Sequence, residues 1–359
     1  MRNTLESVHE PRLSAAVIPT NILCHLVQMA HDRQVESASW FKGMRLDPQE
    51  IDDPATRVSY RQATEIVARA LAALAQPDLG LVVGCQQDIG NFGLLGLAMR
   101  TAPTFGEAIQ TGITYQRAIG TLLDVNLETD DTRYESILIA RAPATLPAIL
   151  PFLCEEMFTS SLMLARDLAG PEFRPLRLEL TYPAPDYVDR YAQLFQCELH
   201  FDQPRNAMVI DKDWMDLKFN SYNPVNSRQV LDLCRLQLHD PGLPQQELAA
   251  TVERCLRQQL AVNPTLVSIA GHMHLSERTL RRQLAAEGTS FSRLHDRIRM
   301  ERALELLHDH GQAIGQVGSQ LGFTDAREFR RAFKRWTGQT PSEARQRLLN
   351  RQPLYAVCD

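Results

Sequence analysis

The 359-residue chain has seven cysteines but no CxxC pair, so neither a zinc ribbon nor a disulfide framework is suggested. No apolar run approaches the ~18 residues needed to cross a bilayer, and the N-terminus lacks a basic-then-apolar leader. A cytoplasmic chain without a membrane partner is expected. GNFGLLG, Gly90 to Gly96, spaces its glycines as GxxGxxG rather than GxGxxG and follows no clear strand, which argues against a dinucleotide cradle. His272 with His274, and His308 with His310, stand at i, i+2, a spacing that separates their rings on a helix. No metal and no cofactor are expected. Glu155-Glu156 has no identifiable partner acid, so no catalytic dyad can be assigned. Lysine is nearly missing from the C-terminal end, where Lys334 is the only one after residue 250.

Arginine takes its place. Residues 251 to 359 hold 17 Lys+Arg against 11 Asp+Glu, a net of +6, which leaves 21 against 32, a net of −11, for residues 1 to 250. A basic end on an acidic remainder is the footprint of a chain that meets a polyanion at one end only. Within FTDAREFRRAFKRWTGQTP, Arg327, Arg330, Arg331 and Lys334 stand at i, i+3, i+4 and i+7. On a helix they share one face, opposite Phe329, Phe333 and Trp336. Thr324 or Asp325 supplies an N-cap, and Gly338 followed by Pro341 ends the helix. Taken alone, such a face also fits an ordinary solvated helix.

The pattern occurs twice. Arg278, Arg281 and Arg282, with Leu280 and Leu284, repeat Arg327, Arg330 and Arg331, with Phe329 and Phe333, at an offset of 49. Upstream, Ile269, Ala270, Met273 and Leu275 match Val317, Gly318, Leu321 and Phe323 at an offset of 48. The second turn therefore carries one extra residue. A short helix, a tight turn and a helix with one apolar and one basic stripe make a helix-turn-helix unit, whose second helix enters the major groove. Between the two, Phe291, Leu294, Ile298, Ala303, Leu306 and Leu307 set a helical period from about 291 to 308. That helix is long enough, at about 1.5 Å per residue, to hold two reading heads about one DNA turn apart.

Residues 264 to 345, a little under a quarter of the chain, resemble the DNA-binding domain of AraC/XylS transcription regulators. In the second half the likeness runs through Gly322-Phe323, Phe329, Ala332-Phe333, Trp336, Gly338, Pro341 and Arg345. The first half carries it through Ser276, Arg278 to Leu280, Arg282, Leu284, Gly288, Phe291 and Arg302-Ala303. Two positions depart from the pattern. Gly318 stands where the family usually has Ala, and Glu328 either accepts from cytosine N4 or repels phosphate.

The candidate base-reading residues are Arg278, Arg281, Arg282, Arg327, Arg330 and Arg331, because a guanidinium fork matches guanine O6 and N7. The resemblance singles out Arg282 and Arg331 as those that reach bases. It assigns Lys334, Arg335, Thr289, Ser290 and Gln339 to phosphates. Solvent or an internal ion pair is the alternative for each arginine.

The N-terminal part is mixed and led by helices. Helices are expected near 20–33, 59–74, 93–100, 104–119, 151–168 and 186–195. Strands are expected at 79–84, 122–127, 134–141, 176–182, 198–201 and 208–210. This pattern differs from an all-β cupin. Through Leu79-Gly80-Leu81 with Gly84, Gly93 to Gly96, Ala102-Pro103-Thr104, Phe201 and Asn206, it is similar to the effector domain of ornithine-utilisation-type regulators within the same family. That likeness implies a small-molecule sensor and a dimerisation domain. Trp40, Phe41, Phe92, Met99, Phe105, Tyr115, Phe152 and Phe158 are candidate pocket residues, with plain core as the alternative.

The organisation expected is an α+β effector and dimerisation domain at 1–220, a partly helical linker at 221–250, an all-α double helix-turn-helix domain at 251–350 and a tail at 351–359. The apolar helix near 230–238 would pack between domains, across a dimer, or within one subunit. The function this implies is a DNA-binding transcription regulator, an activator beside RNA polymerase, responding to an amino-acid derivative, a carboxylate metabolite or a fatty acid. A metabolite-modifying enzyme tethered to DNA would need a catalytic constellation that the sequence does not display. A nonspecific architectural binder sits poorly with the acidic N-terminal two thirds.

Overall fold

The structure, a computed structural model, describes residues 13–144, 146–238, 247–308 and 312–349. The tail 351–359, the Pro241-Gly242 turn, His310 and the side chain of His308 lie outside the described residues. The chain divides into two compact units, one up to residue 244 and one from residue 245.

In the first unit, strands β1 (Ala16–Pro19) and β2 (Arg57–Ser59) form an antiparallel pair. A five-stranded sheet is built from β3 (Asp124–Asp130), β4 (Glu135–Arg141), β5 (Arg177–Glu179), β6 (Glu198–His200) and β7 (Asn206–Asp211), in the order β3-β4-β7-β5-β6. Only β5 and β6 run parallel. Side chains alternate across this sheet. Leu138, Leu178, Met208 and Ile210 enter the main core, while Ile137, Ile139, Ala207 and Val209 form a separate small cluster.

The helices of this unit are α1 (Asn21–Asp32), α2 (Tyr60–Leu74), α3 (Leu79–Cys85), α4 (Gly93–Arg100), α5 (Phe105–Thr114), α6 (Leu150–Ala169), α7 (Val188–Phe195) and α8 (Pro224–Gln237). Ser59 caps α2 by accepting from the Gln62 amide at 3.0 Å, and Gln62 reaches back to the Ser59 amide, a reciprocal cap that fixes where the helix starts.

Segment 79–84, expected as a strand, is instead α3. An apolar run of six cannot choose between strand and helix by periodicity, but its glycines can. A Cβ at Gly80 would lie 2.6 Å from Glu155 Cβ, and one at Gly84 2.6 Å from Thr159 Cβ. The two glycines, one helical turn apart, let α3 lie directly against one face of α6. β1 and β2 were not foreseen, since strands of four and three residues carry too little pattern. The expected helix 104–119 breaks after Thr114 into a short 3-10 turn, Gln116–Ile119.

α8 falls in the stretch assigned to a linker, yet its Val230 and Cys234 are buried with Leu95, Ala98 and Met99 of α4. Of the three placements open to this helix, the structure records packing within the first unit.

The second unit is helical throughout its described residues: α9 (Glu247–Gln259), α10 (Leu266–His272), α11 (Glu277–Ala286), α12 (Phe291–His308), α13 (Ile314–Gln320), α14 (Ala326–Thr337) and α15 (Pro341–Leu349). α9 also reaches into the expected linker, and its Leu248, Ala249 and Val252 belong to this unit's core. Leu294, Ile298, Ala303, Leu306 and Leu307 of α12 are buried in the same core as Leu280 and Leu284 of α11 and Phe329 and Phe333 of α14. Both helix-turn-helix pairs are thus fixed to one scaffold helix. Among the described residues no single helix is long and apolar enough to cross a membrane.

Candidate functional site

The two helical pairs differ where the sequence says they should. Four residues, 273–276, separate α10 from α11, whereas five, 321–325, separate α13 from α14. Each turn passes through a left-handed residue, His274 at φ 52° and Gly322 at φ 76°. Gly322 is also crowded, because a Cβ there would lie 2.9 Å from the Leu260 carbonyl oxygen. Ser276 caps α11 by accepting from the Thr279 amide at 3.1 Å, and Asp325 caps α14 by accepting from Arg327 at 2.8 Å.

These caps set the phase of the two basic stripes. Leu280 and Leu284 are fully buried on α11, as are Phe329 and Phe333 on α14. Arg278, Arg282, Arg327, Arg330 and Arg331 are exposed on the other side, and none forms an ion pair with a described residue. Lys334 is exposed as well, and its charge helps lower the Glu343 carboxyl below its usual range, after the hydrogen bonds that Thr340 gives that carboxylate. Arg281 and Arg335 have internal partners, at 3.9 Å from Glu277 and 3.2 Å from Asp296. Both ion pairs are exposed and therefore weak. Thr289 and Ser290 precede α12, where Ser290 Oγ accepts from the Arg293 amide at 3.3 Å, and Gln339 lies in the turn between α14 and α15.

In the first unit, a cavity of about 360 Å³ is enclosed by α1, α4, α5, α6 and the inner face of the sheet. That volume is in the range that holds small organic ligands. Of the eight candidate pocket residues, Phe92, Met99 and Phe105 line it. Trp40, Phe41, Phe152 and Phe158 are packed in the main core, and Tyr115 in the cluster under α8; none of the five lines the cavity. On α6, Phe152 and Phe158 fall outside the stripe that faces the cavity.

That stripe consists of Glu156, Met157, Ser160, Ser161, Leu164, Ala165 and Leu168, a helical 3.6-residue set. Nothing in the spacing of α6 places its polar members in a pocket. The only available signal was a charged pair, Glu155-Glu156, inside an otherwise apolar helix. The two carboxylates part company because successive residues on a helix point about 100° apart. Glu155 is buried and accepts from Tyr187 Oη and Tyr191 Oη, each at 2.7 Å. Burial pushes its carboxyl up to about 7. Glu156 lines the cavity. His25 and Gln87 line it too: His25 Nδ1 lies 2.8 Å from the Asn21 carbonyl oxygen, and His25 Nε2 lies 3.3 Å from Gln87 Nε2. No group of three or more His, Cys, Asp or Glu that could hold a metal ion occurs among the described residues.

Comparison with known proteins gives two family matches. Residues 35–219 match the arabinose-binding domain of AraC transcription regulators, N-terminal part, and residues 269–347 match a helix-turn-helix domain. The chain is 28% identical over 333 residues to the ornithine utilization regulator of Pseudomonas aeruginosa, covering 93% of this chain and 97% of that protein. It is 25% identical over 276 residues to the HTH-type transcriptional regulator VqsM of the same species, covering 74% and 83%. Among solved structures, the transcriptional regulator CdpR from Pseudomonas aeruginosa aligns with 91% of this chain and 98% of its own, at 22% identity and a TM-score of 0.45.

Proposed function

Because the chain belongs to the AraC family of transcription regulators, we propose that its cavity is the effector site and that the stripes on α11 and α14 read two neighbouring segments of one operator. The observation that carries the DNA half is the set of exposed arginines with no ion pair to a described residue, repeated on two helices that share one core. Leaving five guanidinium groups unpaired on matching faces serves a polyanion. Arg282 and Arg331 are assigned to base edges. Lys334, Arg335, Thr289, Ser290 and Gln339 are assigned to phosphates and to register.

The chain acts in the cytoplasm as a homodimer and as an activator beside RNA polymerase. The effector works by favouring one of two states, which requires different affinities for them. The test uses small metabolites found by thermal shift whose binding is abolished by Ser161→Trp, a substitution that fills the cavity. A true effector changes operator affinity or site geometry, by about 5- to 150-fold where affinity is the output. Cavity ligands that leave operator affinity, site geometry and transcription unchanged would overturn the reading.

A further inference from the structure

The proposed effector site has an uneven charge inventory. Among its described lining residues there is no Lys and no Arg, and Glu156 is the one carboxylate. Most of the wall is apolar, including Leu95 and Met99 from α4, Ile109 and Ile113 from α5, and Leu164 and Leu168 from α6. A carboxylate in such surroundings is costly to keep charged unless it is paired.

Glu156 is poorly paired. Ser160 Oγ lies 3.0 Å from Glu156 Oε1 but only 2.6 Å from the Glu156 carbonyl oxygen. One hydroxyl proton serves both acceptors, and the shorter contact is to the backbone. Glu156 Oε2 has no hydrogen bond or ion pair with a described residue. Burial pushes the carboxyl up to about 7, as expected of an acid without a counter-charge.

The chain beside this turn of α6 brings further polar side chains to the cavity. Gly84 lies against the Glu156 carbonyl, and Gln87 follows three residues later to meet His25 at the same wall. Leu164 and Leu168, two and three turns further along α6, pack on the cluster of Leu95 and Met99. The cavity is therefore acidic and polar at one end and apolar at the other.

We propose that the effector carries a cationic ammonium or guanidinium head that pairs with Glu156, and an apolar body held between α4, α5 and the later turns of α6. This rests on the reading of the cavity as the effector site. It disfavours the simple carboxylates and fatty acids that the sequence left open, since their head group would meet Glu156 with no Lys or Arg among the described lining residues to receive it.

The experiment is calorimetry on the full chain with three probes of equal length: hexylamine, 1-hexanol and hexanoate. Hexylamine is expected to bind more tightly than either of the others by about tenfold or more. Glu156→Gln should weaken hexylamine by a similar factor while leaving 1-hexanol unchanged. If hexanoate or 1-hexanol matches hexylamine on the native chain, or if Glu156→Gln leaves hexylamine unaffected, the cationic assignment is wrong while the cavity reading stands. If none of the three binds, or if Ser161→Trp leaves their binding intact, both fall. Loss of 1-hexanol binding in Glu156→Gln would report a collapsed cavity, and the ranking of the three probes on the native chain then decides.

Discussion

The guanidinium of Arg299 lies 4.3 Å from the centre of the Phe323 ring. The same side chain donates from Nε to the Leu321 carbonyl oxygen at 3.0 Å and from Nη2 to Asn263 Oδ1 at 2.7 Å. One buried residue of α12 thereby holds the turn of the second helical pair and the segment leading into the first. Arg299→Met keeps much of the volume and removes both hydrogen bonds. Leaving Leu321 and Asn263 without these partners costs about 1–3 kcal/mol, measurable by urea unfolding of the full chain. An unchanged unfolding midpoint would show that Arg299 does not stitch the two pairs together.

Gly318 and Phe329 form a compensating pair. The equivalent positions in the first helical pair are Ala270 and Leu280, so a larger side chain on the second helix goes with a smaller one on the first. A Cβ at Gly318 would lie 3.0 Å from Phe329 Cβ and 3.2 Å from its ring. Gly318→Ala gains up to about 1 kcal/mol of helix propensity, but the crowding is expected to outweigh it. In a double-mutant cycle with Phe329→Leu, the double variant should be more stable than the sum of the single changes by about 0.5–3 kcal/mol. Additive changes would mean the two positions do not share their space.

Arg331 and Arg335 are assigned to different kinds of DNA contact, base and phosphate, and the two assignments predict different losses. Arg331→Ala should cost about 1–3 kcal/mol on the operator and much less on scrambled DNA, as expected for a base contact. Arg335, already beside Asp296, should weaken both DNAs to a similar small extent when replaced by Ala. Equal losses on both DNAs for Arg331→Ala would reassign it to phosphate.

α8 turns Val225, Leu233 and Leu236 outward, at 63%, 44% and 80% exposure. We expect this stripe to carry self-association of the chain. Leu233→Asp with Leu236→Asp should shift a dimer toward monomer in sedimentation velocity without lowering the unfolding temperature. A dimer unaffected by the pair would move the interface elsewhere.

His295 titrates below its usual range. Burial, and then the neighbouring Arg299 charge, lower its pKa to about 4. The unfolded chain takes up this proton near 6.5, so the contribution of His295 is fully present above that pH and is lost as pH falls toward 4. His295→Gln should flatten this part of the pH dependence relative to the native chain. Parallel curves for the two proteins between pH 6.5 and 4 would show that the ring is not held neutral.

The DNA-reading unit was largely legible because its signals are local and doubled. The offsets of 49 and 48 showed the one extra residue in the turn before α14, and the opposition of Arg331 to Phe333 followed from helical period alone. The first unit was less legible. LGLVVG reads equally as strand or helix until Gly80 and Gly84 are seen against Glu155 and Thr159. The pocket was sought among large aromatics and Met99, and of these Phe92, Phe105 and Met99 line it. Its polar end depends on which way α6 is turned, and that is set by α3 packing on the opposite face. No spacing within residues 150–169 states which of Glu155 and Glu156 faces the cavity.

The most direct test of the account is hydroxyl-radical footprinting of the operator, isolated from sheared genomic DNA of the source organism, with the native chain, Arg282→Ala and Arg331→Ala. Two protected segments about one helical turn apart on one face of the duplex are expected, with Arg282→Ala erasing one and Arg331→Ala the other. A single protected segment, or two that fade together in both variants, would contradict paired reading heads.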